Sequence, residues 1–329
     1  MPRKIPGKLF VAGVCLGIVM FGAMLAGPSY AQAPEARPSA VAPSCDRRCL
    51  YGVLDQYLHA LTAKDPSRLR WAKMVQNTEN NVSLQVGDGL WGTITGLGSY
   101  DLRFADTTDG QVGFYGVVQE KTVSSVIALR LKVDDGAISE VETLVRRNEA
   151  GSLFPNPPNL VDKPVLNEML APAQRRPRER MISIANGYWD TLQLNDGTLF
   201  TQFDDQCDRI ENGLQTTRNP ALLKISRVAE LGCADQFKLG HYRFDDRLRA
   251  RRFPLVDEER GLVLSAAFLD HTGRLGTYKY TDGRVVESSM KTPSSLCALE
   301  LFKIQDGKIR QIEAVFISVP YNMPTPWLP

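Results

Sequence analysis

Two stretches of the chain carry the same apolar stripe. Leu50, Val53, Leu54, Tyr57, Leu58 and Leu61 follow the i, i+3, i+4, i+7 spacing of an amphipathic helix. Met181, Ile184, Ala185, Tyr188, Trp189 and Leu192 repeat that stripe at a constant offset of 131 residues. Each stripe runs into an acidic stop, "TAKDPSRL" after the first and "QLNDGTLF" after the second. Further along, the period becomes strand-like. "LKVDDGAISEVETLV" (131–145) and "FKIQDGKIRQIEAVF" (302–316) both read as strand, Asp-Gly hairpin turn, strand, at an offset of 171. "DTTDGQVGFYGVVQE" (106–120) matches "DEERGLVLSAAFLDH" (257–271) at 151, and two strand ends place Glu79-Asn80 and Glu211-Asn212 at 132.

These matches describe a tandem duplication with a unit too long for a solenoid. The first copy spans 44–150, a Pro-rich connection covers 151–177 as an ordered or semi-rigid linker, and the second copy runs over 178–329 to a Pro-rich tail. Growth of the offset from 132 to 171 gives the second copy about 39 extra residues, expected mostly in 214–255. Each copy reads as α+β, with helices covering one face of a curved antiparallel sheet. The strands "VGFYGVV" and "LVLSAAFL" are apolar on both faces, so the outer face of each sheet also needs cover. The sister copy supplies it in an internal pseudo-dimer, within a monomer or a homodimer.

The N-terminus has a separate pattern. Arg3, Lys4 and Lys8 precede the apolar run "LFVAGVCLGIVMFGAMLAG", and small residues follow in "PSYAQA". That order predicts a secretory signal peptide over 1–31, cleaved after Ala31 or Ala33, with an uncleaved anchor as the alternative. An Ala/Pro-rich disordered segment follows over 32–43. The expected protein is exported, periplasmic or extracellular, with no membrane association after cleavage. A net charge of +2 gives no reason to expect a nucleic-acid partner.

Five cysteines lie beyond the signal peptide, and an oxidising compartment permits disulfides. Cys207 and Cys233 flank one irregular segment and form the preferred pair. Cys45 and Cys49 can pair at a helix start, and Cys297 reads as a buried free thiol in an apolar strand. With His59, His241 and His271 as the only histidines and no completing cluster, no metal site is expected. No Gly-rich loop opens a helix and no G-x-S-x-G occurs, so no nucleotide cofactor and no serine hydrolase is expected.

The helix "DQYLHALTAKDPSRL", the acidic strand "FDDQCDRIENG" and the terminal hairpin "KIQDGKIRQIEAVF" resemble the NTF2-like superfamily, more narrowly its SnoaL-like and steroid-isomerase-like members. The tandem arrangement, with "RRFPLVDEERGLVL" and "VPYNMPTPW", looks like an uncharacterised family of secreted tandem SnoaL-like proteins. The resemblance implies two cone-shaped domains. It also implies a base on the first strand, with a helix tyrosine and a protonated acid stabilising an enolate oxygen. On this chain those roles fall on Glu211, Tyr188 and Glu300. The first copy offers Tyr57 and Glu79 but has Leu129 where the second has Glu300, so the trio is complete only in the second copy.

His271 is a candidate proton shuttle, His241-Tyr242 a candidate lid, and Tyr57, Glu79, His241, Tyr242 and Trp189 are candidate substrate-binding residues. Each residue also has a structural reading. The tyrosines lie on core faces, Glu211 can pair with Arg209 on its own strand face, Asn80 and Asn212 suit turns, and Glu300 can pair with an arginine across the sheet. Arg247, Arg249, Arg251 and Arg252 read as a hairpin salt-bridged to "VDEER", Asp204-Asp205 as a turn, and Asn81 as a formal glycosylation sequon. The leading expectation is a cofactor-independent lyase or isomerase for a small apolar or amphipathic carbonyl or hydroxylated compound. The alternatives are a non-catalytic small-molecule binder, or an interaction protein with filled cones and a docking tail.

Overall fold

The computed structural model describes residues 45–121, 123–147, 160, 163–224 and 226–327. The signal-peptide and Ala/Pro-rich expectations over 1–43, and residues 151–159 and 161–162 of the linker, lie outside the described residues.

The first half opens with α1 (Arg47–Thr62), whose start is capped by Asp46 accepting a hydrogen bond from the Cys49 N–H at 2.8 Å. β1 (Trp71–Glu79), β2 (Val82–Ser83), a single turn α2 (Leu90–Thr93), β3 (Ile94–Asp106), β4 (Gln111–Glu120), β5 (Val123–Asp134) and β6 (Ala137–Arg146) follow. A short helix α3 (Pro164–Asn167) lies in the connection. The second half repeats the order with α4 (Arg178–Leu194), β7 (Phe203–Glu211), β8 (Leu214–Gln215), α5 (Cys233–Lys238), β9 (Arg247–Asp257) and β10 (Leu262–His271). An added hairpin, β11 (Thr277–Lys279) and β12 (Val285–Glu287), precedes β13 (Ser294–Gln305) and β14 (Lys308–Val319).

The two six-stranded sheets have the same topology, β2-β1-β6-β5-β4-β3 and β8-β7-β14-β13-β10-β9. Neither is wholly antiparallel as expected: β1 runs parallel to β6, and β7 to β14. The cause is the connection after β1 and β7. It carries the chain to the far edge of the sheet, and three successive hairpins then bring the last strand back alongside the first.

Among the described residues three large cores hold the body together, with a smaller cluster of Val228, Leu239, Tyr278 and Tyr280 under the β11–β12 hairpin. One lies under α1, with Leu54, Tyr57 and Leu61 against Trp91 and Leu129. A second lies under α4, with Tyr188 and Trp189 against Phe203, Phe237 and Phe302. The third joins the halves: Phe104, Tyr115 and Ala128 pack with Leu264, Leu299 and Val315 from the other sheet. This shared core buries the outward apolar faces of β4 and β10 and forms the internal pseudo-dimer.

Reciprocal polar contacts flank the shared core. Arg47, at the start of α1, donates to Asp257 at 2.8 Å, and Arg178, at the start of α4, donates to Asp106 at 2.8 Å. Asp257 also accepts from the Ala105 N–H at 3.1 Å, and Asp106 from the Val256 N–H at 2.9 Å. Each buried carboxylate thus satisfies donors of the opposite half, as a buried charge requires.

The β3–β4 and β9–β10 turns require glycine at matching positions. Gly110 and Gly261 both have φ +63°, and a Cβ on Gly261 would stand 2.2 Å from the Ile304 carbonyl oxygen. Gly261→Ala is therefore expected to cost about 2 kcal/mol, from a strained φ plus displaced backbone. A urea midpoint equal to that of the wild type would contradict this.

The structure departs from several sequence expectations. The extra length of the second half is not concentrated in 214–255. The offset rises from 132 to 151 by Asp257, which is 19 residues, and from 151 to 171 after His271, which is 20 more and contains the β11–β12 hairpin. Asp204 and Asp205 lie within β7. The arginines of β9 pair with Asp270, Asp190 and Glu142, not with "VDEER". The tail is an intramolecular strap: Asn81 donates to the Pro324 carbonyl at 2.7 Å and Gln76 to that of Pro326 at 2.8 Å. Trp327 lies under the guanidiniums of Arg130 and Arg252. The Asn81 sequon amide is buried in that contact.

The disulfides are Cys45–Cys49 and Cys207–Cys233, and Cys297 is a buried free thiol. Among the described residues no helix is long and apolar enough to cross a membrane.

Candidate functional site

The duplicated Glu-Asn pair divides into two functions. Asn80 and Asn212 sit at positive φ, 52° and 48°, where the parallel pair of strands ends. The Asn80 side chain accepts from the Val145 N–H at 2.8 Å, and that of Asn212 from the Phe316 N–H at 2.9 Å. Both asparagines continue the ladder with a side-chain amide where the backbone turns away, so both halves keep them for the fold.

The glutamates differ. In the first half Glu79 accepts from the Leu90 N–H at 2.6 Å and pairs with Arg147 at 2.9 Å. Around it, Trp91 stands edge-on to Tyr57 at 5.5 Å, and the remaining space is about 10 Å³. That is at most the room of a single water, so Tyr57 and Glu79 face no ligand-sized space.

The second half holds a cavity of about 550 Å³, within the range of small-molecule sites. Strand register explains its inner end. Glu211 lies opposite Ala314, Ala314 opposite Glu300, and Glu300 opposite Ser265. Residues directly opposite share a face, so both carboxyl groups rise from the floor with a methyl group between them. Their backbones are two strand spacings apart, roughly 10 Å. The matching row of the first half is Glu79, Thr143, Leu129, Phe114. Leu129 and Phe114 there replace Glu300 and Ser265, which removes the second carboxyl and fills the space.

Tyr188 on α4 reaches down to this row and donates its hydroxyl hydrogen to Glu300 at 2.8 Å. Burial pushes the Glu300 carboxyl up to about 7, with Glu211 and Asp245 adding to the rise and Arg209 and the Tyr188 hydrogen bond opposing it. Burial also holds the Tyr188 phenol well above its ordinary value.

Arg209, one β-repeat before Glu211, is buried under Phe237 and Tyr242, with its guanidinium 5.3 and 4.8 Å from their ring centres. It pairs with Glu211 and donates to the Tyr242 hydroxyl at 2.6 Å. That hydroxyl donates to Gln236 on α5 at 2.6 Å. Gln236 in turn donates to the carbonyls of Thr216 and Val228, and Cys207–Cys233 ties α5 to β7. The polar end of the cavity is thus walled by residues that the first half lacks.

His241 lines the cavity with its Nδ1 2.8 Å from the Tyr280 hydroxyl, and burial lowers its pKa to about 4, so it is neutral at physiological pH. Further out, Ala298, Leu296, Leu269 and Phe316 give apolar walls, and Met290 from the segment after β12 lies at the rim. Asn80, Arg146 and Arg147 of the first half complete the lining.

The structure therefore brings Glu211, Tyr188, Glu300, His241 and Tyr242 to one cavity. Trp189 does not line it; its indole N–H donates to Ser265 at 3.2 Å inside the core. His271 also lies behind the wall, 2.7 Å from Asp245, which does line it. Sequence reasoning did not single out Asp245 or Gln236. Asp245 is the first of a plain Asp-Asp pair and Gln236 lies mid-insertion, and neither position carries a periodic signal. Among the described residues no group of three or more His, Cys, Asp or Glu is placed to hold a metal ion.

A family model described as a domain of unknown function (DUF8021) matches residues 174–316, which runs from just before α4 into β14 and contains every residue of the second half's polar row. No curated protein matches the chain.

Proposed function

We propose that the second half is a cofactor-independent lyase or isomerase that moves a proton next to a carbonyl group of a small, largely apolar molecule. The observation that carries this reading is the Tyr188–Glu300 pair at the buried end of a 550 Å³ cavity. A carboxyl poised near neutrality is well matched to general acid–base work, because both protonation states are accessible at the working pH. Glu211, which the resemblance points to as the base, is tied to Arg209. Glu300 is accordingly assigned the proton transfer. As Glu300 gains the substrate proton its need for the Tyr188 hydrogen bond falls. The hydroxyl then becomes available to the enolate oxygen as negative charge develops there.

Support for the NTF2-like reading comes from the repeated order of helix, strand pair and four hairpin-linked strands. Support for export comes from the two disulfides, which suit an oxidising compartment.

The test is hydrogen–deuterium exchange at the carbon next to the carbonyl of small aryl ketones in D2O, followed by NMR. Wild-type protein is expected to catalyse exchange, Glu300→Gln to lose it, and Glu211→Gln to retain most of it. Equal exchange by wild type and Glu300→Gln would sink the reading. Loss in Glu211→Gln alone would return the base role to Glu211.

The pairing of Glu211 with Arg209 favours one further reading, a binding site without chemistry. Native mass spectrometry showing an unchanged, tightly retained ligand would support it.

A further inference from the structure

Asp245 and His271 form a buried pair that the proton transfer at Glu300 does not use. Asp245 precedes β9 and lines the cavity, while His271 ends β10 and is fully buried behind it. His271 Nε2 lies 2.7 Å from Asp245 Oδ1. The other ring nitrogen, Nδ1, is buried with no hydrogen-bond partner. A bare ring nitrogen needs no acceptor, whereas a buried N–H left without one is costly. The proton of a neutral His271 therefore belongs on Nε2, where it is donated to Asp245 Oδ1.

That donation has a directional consequence. When Asp245 is protonated, its Oδ1 is occupied as an acceptor, so the proton resides on Oδ2. Burial favours the protonated form, opposed by His271 and Arg209, with Glu211 adding to the rise. Asp245 also feels the charge of Glu211 and acts on that of Glu300, which places the three carboxyl groups in one electrostatic neighbourhood.

A single carboxyl can move a proton from one carbon to another. Eliminating water is assisted by an acid at the leaving hydroxyl, and a second group can supply that proton while the base still holds the one taken from carbon. On the premise that Glu300 is the base, we propose that Asp245 is the acid that protonates a leaving hydroxyl, that His271 positions it, and that the reaction is therefore dehydration of a β-hydroxy carbonyl compound.

The steps balance. The Glu300 carboxylate takes the proton from the carbon next to the carbonyl, and the C–H electron pair forms the enolate. The enolate collapses to a carbon–carbon double bond, and the β C–O bond breaks with its electron pair passing to oxygen. That oxygen takes the proton of Asp245 and leaves as water. Glu300 is now protonated and Asp245 ionised, and the proton returns from one to the other through the released water, which restores both groups.

The experiment uses 3-hydroxy-1-phenylbutan-1-one in D2O, with exchange at the carbon next to the carbonyl followed by NMR and alkene formation by absorbance. Wild type is expected to do both. Asp245→Asn is expected to lower alkene formation roughly 100-fold or more, and to lower it far more than it lowers exchange. His271→Gln is expected to slow alkene formation roughly 10-fold, more than it slows exchange. A purely structural role would lower exchange and elimination together, and that outcome in both variants overturns the proposal. Unchanged elimination in Asp245→Asn overturns it while leaving Glu300 as the base. A wild type that exchanges without eliminating likewise overturns dehydration alone. A wild type that does neither removes the premise and the inference with it.

Discussion

Glu300→Gln is expected to lose turnover and gain stability in the same protein. The sign follows from the protonation state. The Glu300 carboxyl sits at about 7 in the folded chain, above its ordinary 4.5, because burial disfavours its charge. A group with a raised folded pKa contributes its full stability below the unfolded value and loses it as pH rises through the folded value. Between pH 4.5 and 7 the wild type should therefore lose roughly 3 kcal/mol through this group. Glutamine cannot ionise, and its carbonyl can still accept from Tyr188. Urea unfolding should show the two proteins equal near pH 4 and the variant more stable at pH 8. The wild-type rate should rise with pH through about 7 as the carboxylate forms, and the variant should be slower by roughly 100-fold to 10,000-fold. A variant less stable than wild type at pH 8 would show that Glu300 is held charged and contributes to the fold.

Arg209→Met is expected to be the most destabilising change in the site. Arg209 is buried with Glu211 as its charge partner, and the substitution leaves the largely buried Glu211 without that partner. Breaking such a pair costs about 3–5 kcal/mol. It also releases the stacked rings of Phe237 and Tyr242, which hold α5 against β7. Replacing both members, Arg209→Met with Glu211→Met, removes the orphaned charge and should recover most of the loss. Denaturant midpoints of the single and double variants decide this. A double variant as unstable as the single one would mean that the lost ring contacts, not the charge, set the cost.

Much of the fold was legible along the chain. The 131-residue helix repeat and the two Asp-Gly hairpins are short-range patterns, written in residues adjacent in sequence. The difference between Leu129 and Glu300 was legible too, since the hairpin repeats align without gaps. In the structure the half with Leu129 is filled beside Tyr57 and Glu79, and the half with Glu300 holds the cavity. The preferred Cys207–Cys233 pairing also matches the structure. Other features depend on groups far apart in sequence. Arg47 and Asp257 are 210 residues apart, and Asp106 and Arg178 are 72 apart. Neither pair carries a periodicity of its own. A docking role for the tail was one alternative its Pro-rich composition allowed, and composition does not encode that Asn81 and Gln76 would donate to its carbonyls.

By itself the sequence determined the duplication, the helix and hairpin elements, the apolar faces that demand a double layer, and the second copy as the one able to hold two carboxyls in a row. These follow from local periodicity and from the register of aligned repeats. The tertiary structure alone decided that Trp91 fills the space beside Tyr57 in the first half and that Gln236 and Tyr242 wall the cavity of the second. It also decided that Arg209 claims Glu211, and that Asp245 faces the cavity with His271 behind it. The physical reason is that protonation and hydrogen-bond partnership depend on burial and distance. Those are set only when strands and helices remote in sequence come together.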